Sequence, residues 1–235
     1  MINSETFKFS IIVPVYNEDK TILKVLQNLD NLKKYYQNIQ IIVINDGSKD
    51  DSLKILESNK SLFDVLINNP NNKGKGNAVK KGIEAADGDY ITFQDADLEY
   101  DPNDFKKFLK LINMVKPDLI IGSRFNYADY SRSHYILNKI GNKFITFLFN
   151  IIYNTTFTDI YSCYACFKKN LLINETLKTD GFEQHAEILC KVVKNGKKFY
   201  EVPINYNGRS HDEGKKIKFY HIFSVIYQIL IGKLK

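Results

Sequence analysis

Phe9-Ser-Ile-Ile-Val-Pro-Val15 is an apolar run interrupted by a single serine; it ends in Tyr16-Asn17-Glu18, and residues 20–32 then carry apolar side chains at helical spacing. A short buried run followed by an amphipathic helix is one step of a sheet covered on both faces. The step repeats. Apolar runs at 39–44, 63–67, 90–93 and 119–121 alternate with helical patterns at 50–57, 78–86 and 103–115. The first half is therefore predicted to be α/β, with a parallel or mostly parallel sheet and helices on both faces. In such sheets ligands bind beyond the carboxyl ends of the strands. The residues at those ends are polar: Tyr16-Asn17-Glu18, Asn45-Asp46-Gly47-Ser48, Gln94-Asp95-Ala96-Asp97 and Gly122-Ser123-Arg124.

The second half has a different texture. Residues 134–153 form a long apolar helical stretch containing Lys139 and Lys143; 158–167 reads as a strand, 182–193 as a helix and 199–203 as a strand. A polar segment at 207–216 precedes an apolar tail at 217–231, closed by Lys233 and Lys235. No internal repeat or flexible linker divides the chain. At 235 residues one core buries roughly 70% of the unfolded surface, so one domain is expected. Hydrophobic residues at 44% and charged residues at 26% exclude a disordered or fibrous chain. The net charge of +6 favours anionic partners such as nucleotides, phosphates or acidic headgroups. Nothing in the pattern calls for nucleic acid.

Three cysteines, Cys163, Cys166 and Cys190, are an odd set without a signal peptide, which points to a reducing, cytoplasmic setting. Cys163 and Cys166 have CxxC spacing, but His185 and Cys190 lack the spacing that would complete a zinc finger or ribbon, so buried thiols are expected. No stretch reaches the ~18 uninterrupted apolar residues of a membrane span.

Asp95-Ala-Asp97 is the sharpest chemical feature. Two carboxylates one residue apart at a strand end suit a divalent ion such as Mg²⁺ or Mn²⁺, which prefers oxygen ligands and shares them with substrate phosphates. Alone, such a pair is equally a solvated turn with capping aspartates. Its position after Tyr-Ile-Thr-Phe-Gln, a strand, favours the site. Asp46-Gly47-Ser48 suits a helix cap, or a carboxylate that takes a hydrogen bond from a base or ribose. Lys73-Gly74-Lys75-Gly76 would bind an anion through amides and ammonium, although it lacks the full P-loop pattern. Arg124, Arg132, Arg209, Lys215 and Lys216 supply the positive charge that a diphosphate leaving group and an anionic acceptor require.

Together these motifs resemble a known family. Ile11-Ile-Val-Pro-Val-Tyr-Asn-Glu18, Asn45-Asp-Gly-Ser48, Asn71-Asn-Lys-Gly-Lys-Gly-Asn-Ala78, Gln94-Asp-Ala-Asp-Leu-Glu-Tyr-Asp-Pro102 and Gly122-Ser-Arg-Phe125 look like a family-2 glycosyltransferase of the dolichyl-phosphate mannose synthase type. The likeness continues through Thr158-Asp159, Gly181-Phe-Glu183, Glu201-Val-Pro-Ile204 and Gly208-Arg209 to Glu213-Gly-Lys-Lys-Ile217, covering nearly the whole chain. It implies a GT-A fold: a nucleotide-sugar-binding half at about 1–125, an acceptor half at about 126–216 and an apolar, basic C-terminal helix at about 217–235.

The resemblance also implies roles. Pro14, Tyr16, Glu18 and Asp46 border the nucleoside; Asp95 and Asp97 hold Mg²⁺ or Mn²⁺ on the diphosphate. Arg124 and Arg132 face the acceptor phosphate or donor sugar, and Arg209 with Lys215 closes over the diphosphate. One departure is Ala165, in a segment where relatives often carry Arg or Lys, so one customary anion contact is expected to be missing or replaced.

The implied reaction is inverting transfer from a nucleotide-diphosphate sugar to a polyprenyl phosphate, an anion that needs no general base. Transfer to a saccharide hydroxyl is the alternative, with Asp159, Glu183 and Glu187 as possible bases. A sugar nucleotidyltransferase is disfavoured because it would begin with a Gly-rich loop where this chain has Val-Tyr-Asn-Glu. A non-catalytic nucleotide-binding or membrane-scaffold module remains a further alternative. Residues 136–152 and 217–231 mix apolar side chains with lysine, the composition of helices lying in a headgroup interface or of ordinary core and dimer packing. With no transmembrane anchor following, membrane contact is expected to be peripheral. The oligomeric state stays open.

Overall fold

The computed structural model describes residues 7–126, 132, 136–209 and 221–234. Its first half follows the alternation: β1 (Phe9–Val15), α1 (Ile22–Tyr35), β2 (Ile39–Asp46), α2 (Ser52–Ser58), β3 (Val65–Asn69), α3 (Lys75–Ala85), β4 (Tyr90–Phe93), α4 (Phe105–Val115) and β5 (Leu119–Ser123). Then come α5 (Ile136–Tyr153), β6 (Ala165–Lys168), α6 (Gln184–Asn195), β7 (Phe199–Pro203) and α7 (His221–Leu234). The strands form one sheet in the order β3-β2-β1-β4-β6-β5-β7. Every pairing is parallel except those of β6, which runs antiparallel between β4 and β5. The second half thus enters the same sheet as the first.

Both faces are covered, which is why the strands read as apolar runs rather than as alternating patterns. Phe9, Ile11 and Val13 of β1 pack in one cluster with Leu26 and Leu29 of α1 and with Phe105 and Phe108 of α4. Ile12 faces the other way, into a cluster with Ala78 of α3, Phe149 of α5, Ile188 of α6 and Val225 of α7. At Gly82 a Cβ would stand 2.4 Å from the Ile12 side chain, so only glycine lets α3 lie this close to β1.

Two boundaries move for identifiable reasons. α3 starts at Lys75 rather than at 78, because Gly74, with φ of +96°, forms the turn that precedes it. Of the strand expected at 158–167, only Ala165 onward joins the sheet. Upstream, backbone groups are satisfied by side chains: Thr158 N–H donates to Glu201 Oε1 (2.8 Å) and Cys163 N–H to the Tyr100 hydroxyl (3.2 Å). Ala165 is buried in β6 within the second cluster, away from solvent.

Candidate active site

The carboxyl ends of β1, β2, β4 and β5 open on a cavity of about 480 Å³. Pro14, Tyr16, Glu18, Asp46, Gly74, Lys75, Asp95, Asp97, Arg124 and Arg209 all line it. Residues spread over nearly 200 positions of chain therefore meet at one rim, where the sheet topology puts a ligand.

Asp46, the last residue of β2, shapes the rim. Its carboxylate accepts from Asn69 Nδ2 (2.7 Å), Lys73 N–H (3.1 Å) and Gly74 N–H (2.9 Å). The expected acceptor for a base or ribose is thus engaged in holding the loop that leads to α3. Gly74 is required there: its φ is positive, and a Cβ would lie 2.6 Å from Asp180 O.

Asp95 and Asp97 follow β4 and are each paired with a cation of the chain. Lys75 Nζ forms an ion pair with Asp95. Arg209 Nη2 lies 2.9 Å from Asp97 Oδ2 and 3.4 Å from Glu18 Oε1, while Arg209 N–H donates to Glu99 Oε1 at 2.9 Å. Burial raises the Asp95 carboxyl, but Lys75, with the Cys163 thiol and His185 adding to it, holds it below the usual range. Asp97 differs. Burial, with Asp95 and Glu99 adding to it, pushes Asp97 up to about 7 against the partial relief of Arg209. Among the described residues the pocket lining holds more carboxylates than cations.

That excess, together with hard oxygen donors, fits a divalent ion. Among the described residues no cluster of three or more His, Cys, Asp or Glu side chains forms a complete cage. Such an ion would take Asp95 and Asp97 and complete its shell from diphosphate oxygens and water, the usual habit of Mg²⁺.

Arg124 has a protein partner. Its Nε and Nη2 bond Asp159 Oδ2 and Oδ1 at 2.7 and 2.8 Å, and its backbone N–H donates to Asp159 Oδ2 at 3.0 Å. The face of the guanidinium expected to meet a phosphate is committed to Asp159, although Arg124 remains in the cavity wall. Asp159 correspondingly is a charge partner: it is fully buried and does not line the cavity. Glu187, considered as a base or a surface carboxylate, is buried and accepts from Lys178 N–H, Thr179 N–H and the Thr179 hydroxyl. Arg132 Nη1 donates to Gly208 O at 2.9 Å and does not line the cavity. Lys215 and Lys216 lie outside the described residues.

The opposite wall was not foreseen. Tyr161, Ser162 and Cys163 come from the segment before β6, and Gln184 and His185 from the first turn of α6. Cys163 and His185 stand out in the sequence only through the incomplete zinc pattern, and no spacing rule marks Tyr161 or Gln184. Cys163 lies against Asp95, and burial pushes its thiol well up. His185 Nε2 is 3.1 Å from Ile160 O, so that nitrogen carries the proton. Burial and the nearby Lys75 push His185 down to about 4. Beyond this wall the cavity reaches Leu137, Gly141 and Ile145 of α5 and Ile222 and Val225 of α7.

Comparison with known proteins agrees with this architecture. Residues 10–174 match the family described as Glycosyl transferase family 2. The chain is 31% identical, over 95% of both proteins, to a UDP-N-acetylglucosamine–dolichyl-phosphate N-acetylglucosaminyltransferase of Methanococcus voltae. Among solved structures it resembles glucosyl-3-phosphoglycerate synthase of Mycobacterium tuberculosis, in complex with Mn²⁺, UDP and glucosyl-3-phosphoglycerate. That likeness has a TM-score of 0.71 at 17% identity, covering 97% of this chain and 80% of the synthase. It also resembles S. aureus TarS, with a TM-score of 0.63 at 20% identity, covering 93% of this chain and 39% of that longer protein.

Proposed function

This chain belongs to glycosyl transferase family 2, GT-A enzymes that use a nucleotide sugar, and from that premise we propose that it transfers the sugar to a polyprenyl phosphate at a membrane surface. The observation that carries the proposal is the continuity of one cavity from Asp95 and Asp97 to the α5–α7 pair. Ile136, Ile140, Phe144, Phe147 and Ile151 of α5 and Phe223, Tyr227 and Leu230 of α7 are exposed. Lys139, Lys143 and Lys233 lie on the same helices. Apolar side chains beside lysines suit partial insertion among anionic headgroups. No helix among the described residues is long and apolar enough to cross a membrane.

The chemistry of the walls favours an anionic nucleophile. Among the described residues the cavity-lining carboxylates are Glu18, Asp46, Asp95, Asp97 and Glu99, all bonded to cations or backbone amides. A saccharide hydroxyl would need a free base within reach. A phosphate oxygen attacks the anomeric carbon already charged, the bond from that carbon to the diphosphate breaks, and the nucleoside diphosphate leaves with the electron pair. Arg209 and Lys75, long side chains that line the cavity beside Asp95 and Asp97, would stabilise that leaving charge by turning from carboxylate to phosphate. Asp95 and Asp97 would hold Mg²⁺ or Mn²⁺, which when bound supplies Lewis-acid stabilisation of the diphosphate. The name of the M. voltae relative and the Mn²⁺–UDP complex of the synthase support both assignments.

The test is incubation with UDP-N-acetylglucosamine, UDP-glucose or GDP-mannose and Mn²⁺ or Mg²⁺, with and without a short polyprenyl phosphate. Released nucleotide and lipid-linked sugar are the readouts. Turnover should rise with the lipid phosphate and vanish in Asp97→Asn. Stimulation by saccharides alone would refute the acceptor, and binding without turnover would indicate a scaffold.

A further inference from the structure

Gln184 and His185, adjacent at the start of α6, are two polar side chains of the cavity that the transfer mechanism leaves unused. Gln184 is only 4% exposed, yet its Nε2 is fully buried without a partner. Leaving a buried amide unpaired costs about 1–3 kcal/mol, so an orphan of this kind in a cavity wall calls for a ligand. His185 has one hydrogen bond, from Nε2 to Ile160 O. With the proton on Nε2, Nδ1 carries a lone pair. Its ring sits edge-on to Tyr161, with ring centroids 6.0 Å apart.

The charges around this pair select the ligand. His185 feels Lys75, Asp95 and Arg124, but Lys75 is neutralised by Asp95 and Arg124 by Asp159. The space between these two ion pairs therefore carries no net charge. A phosphate placed there would face the Nδ1 lone pair without an unpaired lining cation among the described residues. A sugar hydroxyl both donates and accepts, so it satisfies an imidazole lone pair and a carboxamide together.

We propose that Gln184 and His185 form the hexose subsite of the donor, with His185 Nδ1 accepting from one sugar hydroxyl and the Gln184 carboxamide bonding another. This rests on the nucleotide-sugar reading of the same cavity: the diphosphate lies by Asp95, Asp97, Lys75 and Arg209, and the sugar extends toward α6. The two residues are specificity-determining positions that hold the anomeric carbon in place while the phosphate attacks.

Titration calorimetry with UDP-N-acetylglucosamine, UDP-glucose and GDP-mannose against UDP and GDP, in Mg²⁺, separates sugar from nucleotide. His185→Gln keeps an amide that donates toward Ile160 O and removes the Nδ1 acceptor; Gln184→Met removes the orphaned amide at similar volume. Each variant should weaken nucleotide-sugar binding roughly fivefold to tenfold, the worth of one hydrogen bond, and leave the free nucleotide within about twofold. Gln184→Met should melt at or above the parent temperature, since it deletes an unpaired buried group. Equal weakening for sugar nucleotide and nucleotide, or a lower melting temperature without a change in sugar binding, would overturn the subsite. Parent-like binding by both variants would overturn it too, and would leave the donor reading intact. A parent that bound none of the nucleotide sugars would overturn the donor reading and the subsite together.

Discussion

Replacing Arg124 by alanine tests whether this residue supports the fold or the ligand. Its side chain and that of Asp159 are 8% and 0% exposed, joined by two side-chain bonds and one from the Arg124 backbone. Arg124→Ala strands the Asp159 carboxylate without its counter-charge, and breaking a buried pair in this way costs about 3–5 kcal/mol. An unfolding entropy of about 2.1 cal/mol/K per residue gives about 0.5 kcal/mol/K for this chain, so the melting temperature should fall by about 6–10 °C. Asp159→Asn should cost a similar amount, because it leaves Arg124 buried and charged. The double variant Arg124→Ala/Asp159→Asn should cost less than the sum of the singles by about 2–3 kcal/mol, within the range for residues in direct contact. Calorimetry or urea unfolding of all four proteins measures this. An unchanged midpoint in Arg124→Ala, with turnover lost, would refute the argument and return Arg124 to the ligand.

Asp97→Asn should abolish turnover while leaving the fold intact. Because the folded state raises the Asp97 carboxyl to about 7 from an ordinary 3.8, the folded chain binds that proton more tightly. Its stability therefore declines as pH rises from about 4 through about 7. Melts in EDTA should show this decline in the parent and a shallower one in Asp97→Asn. His185 has the opposite sign: lowered to about 4 from 6.5, it stays neutral in the fold while the unfolded chain takes up a proton. Its contribution, of order 3 kcal/mol from 1.36 kcal/mol per pKa unit, is lost as pH falls from about 6.5 to about 4, and unfolding of His185→Gln across that range should lack it. Phe147→Glu with Phe223→Glu should release the protein from anionic vesicles in a sedimentation assay, since each places a charge on an exposed apolar helix face. Nucleotide-sugar binding should persist in that variant.

The alternation of apolar runs and helices was legible because it is local. Burial on both faces of a sheet imposes a continuous apolar strand, and covering each face imposes a 3.6-residue stripe on the helices. β1 and β4 accordingly have the expected limits. The rim motifs were legible for a related reason, since the parallel strands β1, β2, β4 and β5 send their carboxyl ends to the same edge. That is how Asp46, Asp95, Asp97 and Arg124 come to line one cavity.

What the chain order left open is who pairs with whom. Arg124 reads as a cation for a substrate, and Asp159 as a possible base; 35 residues apart, they neutralise each other. Residues 158–164 read as part of a strand, yet backbone groups of Thr158 and Cys163 are held by the Glu201 carboxylate and the Tyr100 hydroxyl. Gln184 and His185 have no motif at all, and their place in the wall follows from the packing of α6 against the sheet. Periodicity reports which side of an element is buried. Which buried polar group meets its partner, and which is left for a ligand, is set by contacts between segments far apart in sequence, and those exist only once the chain has folded.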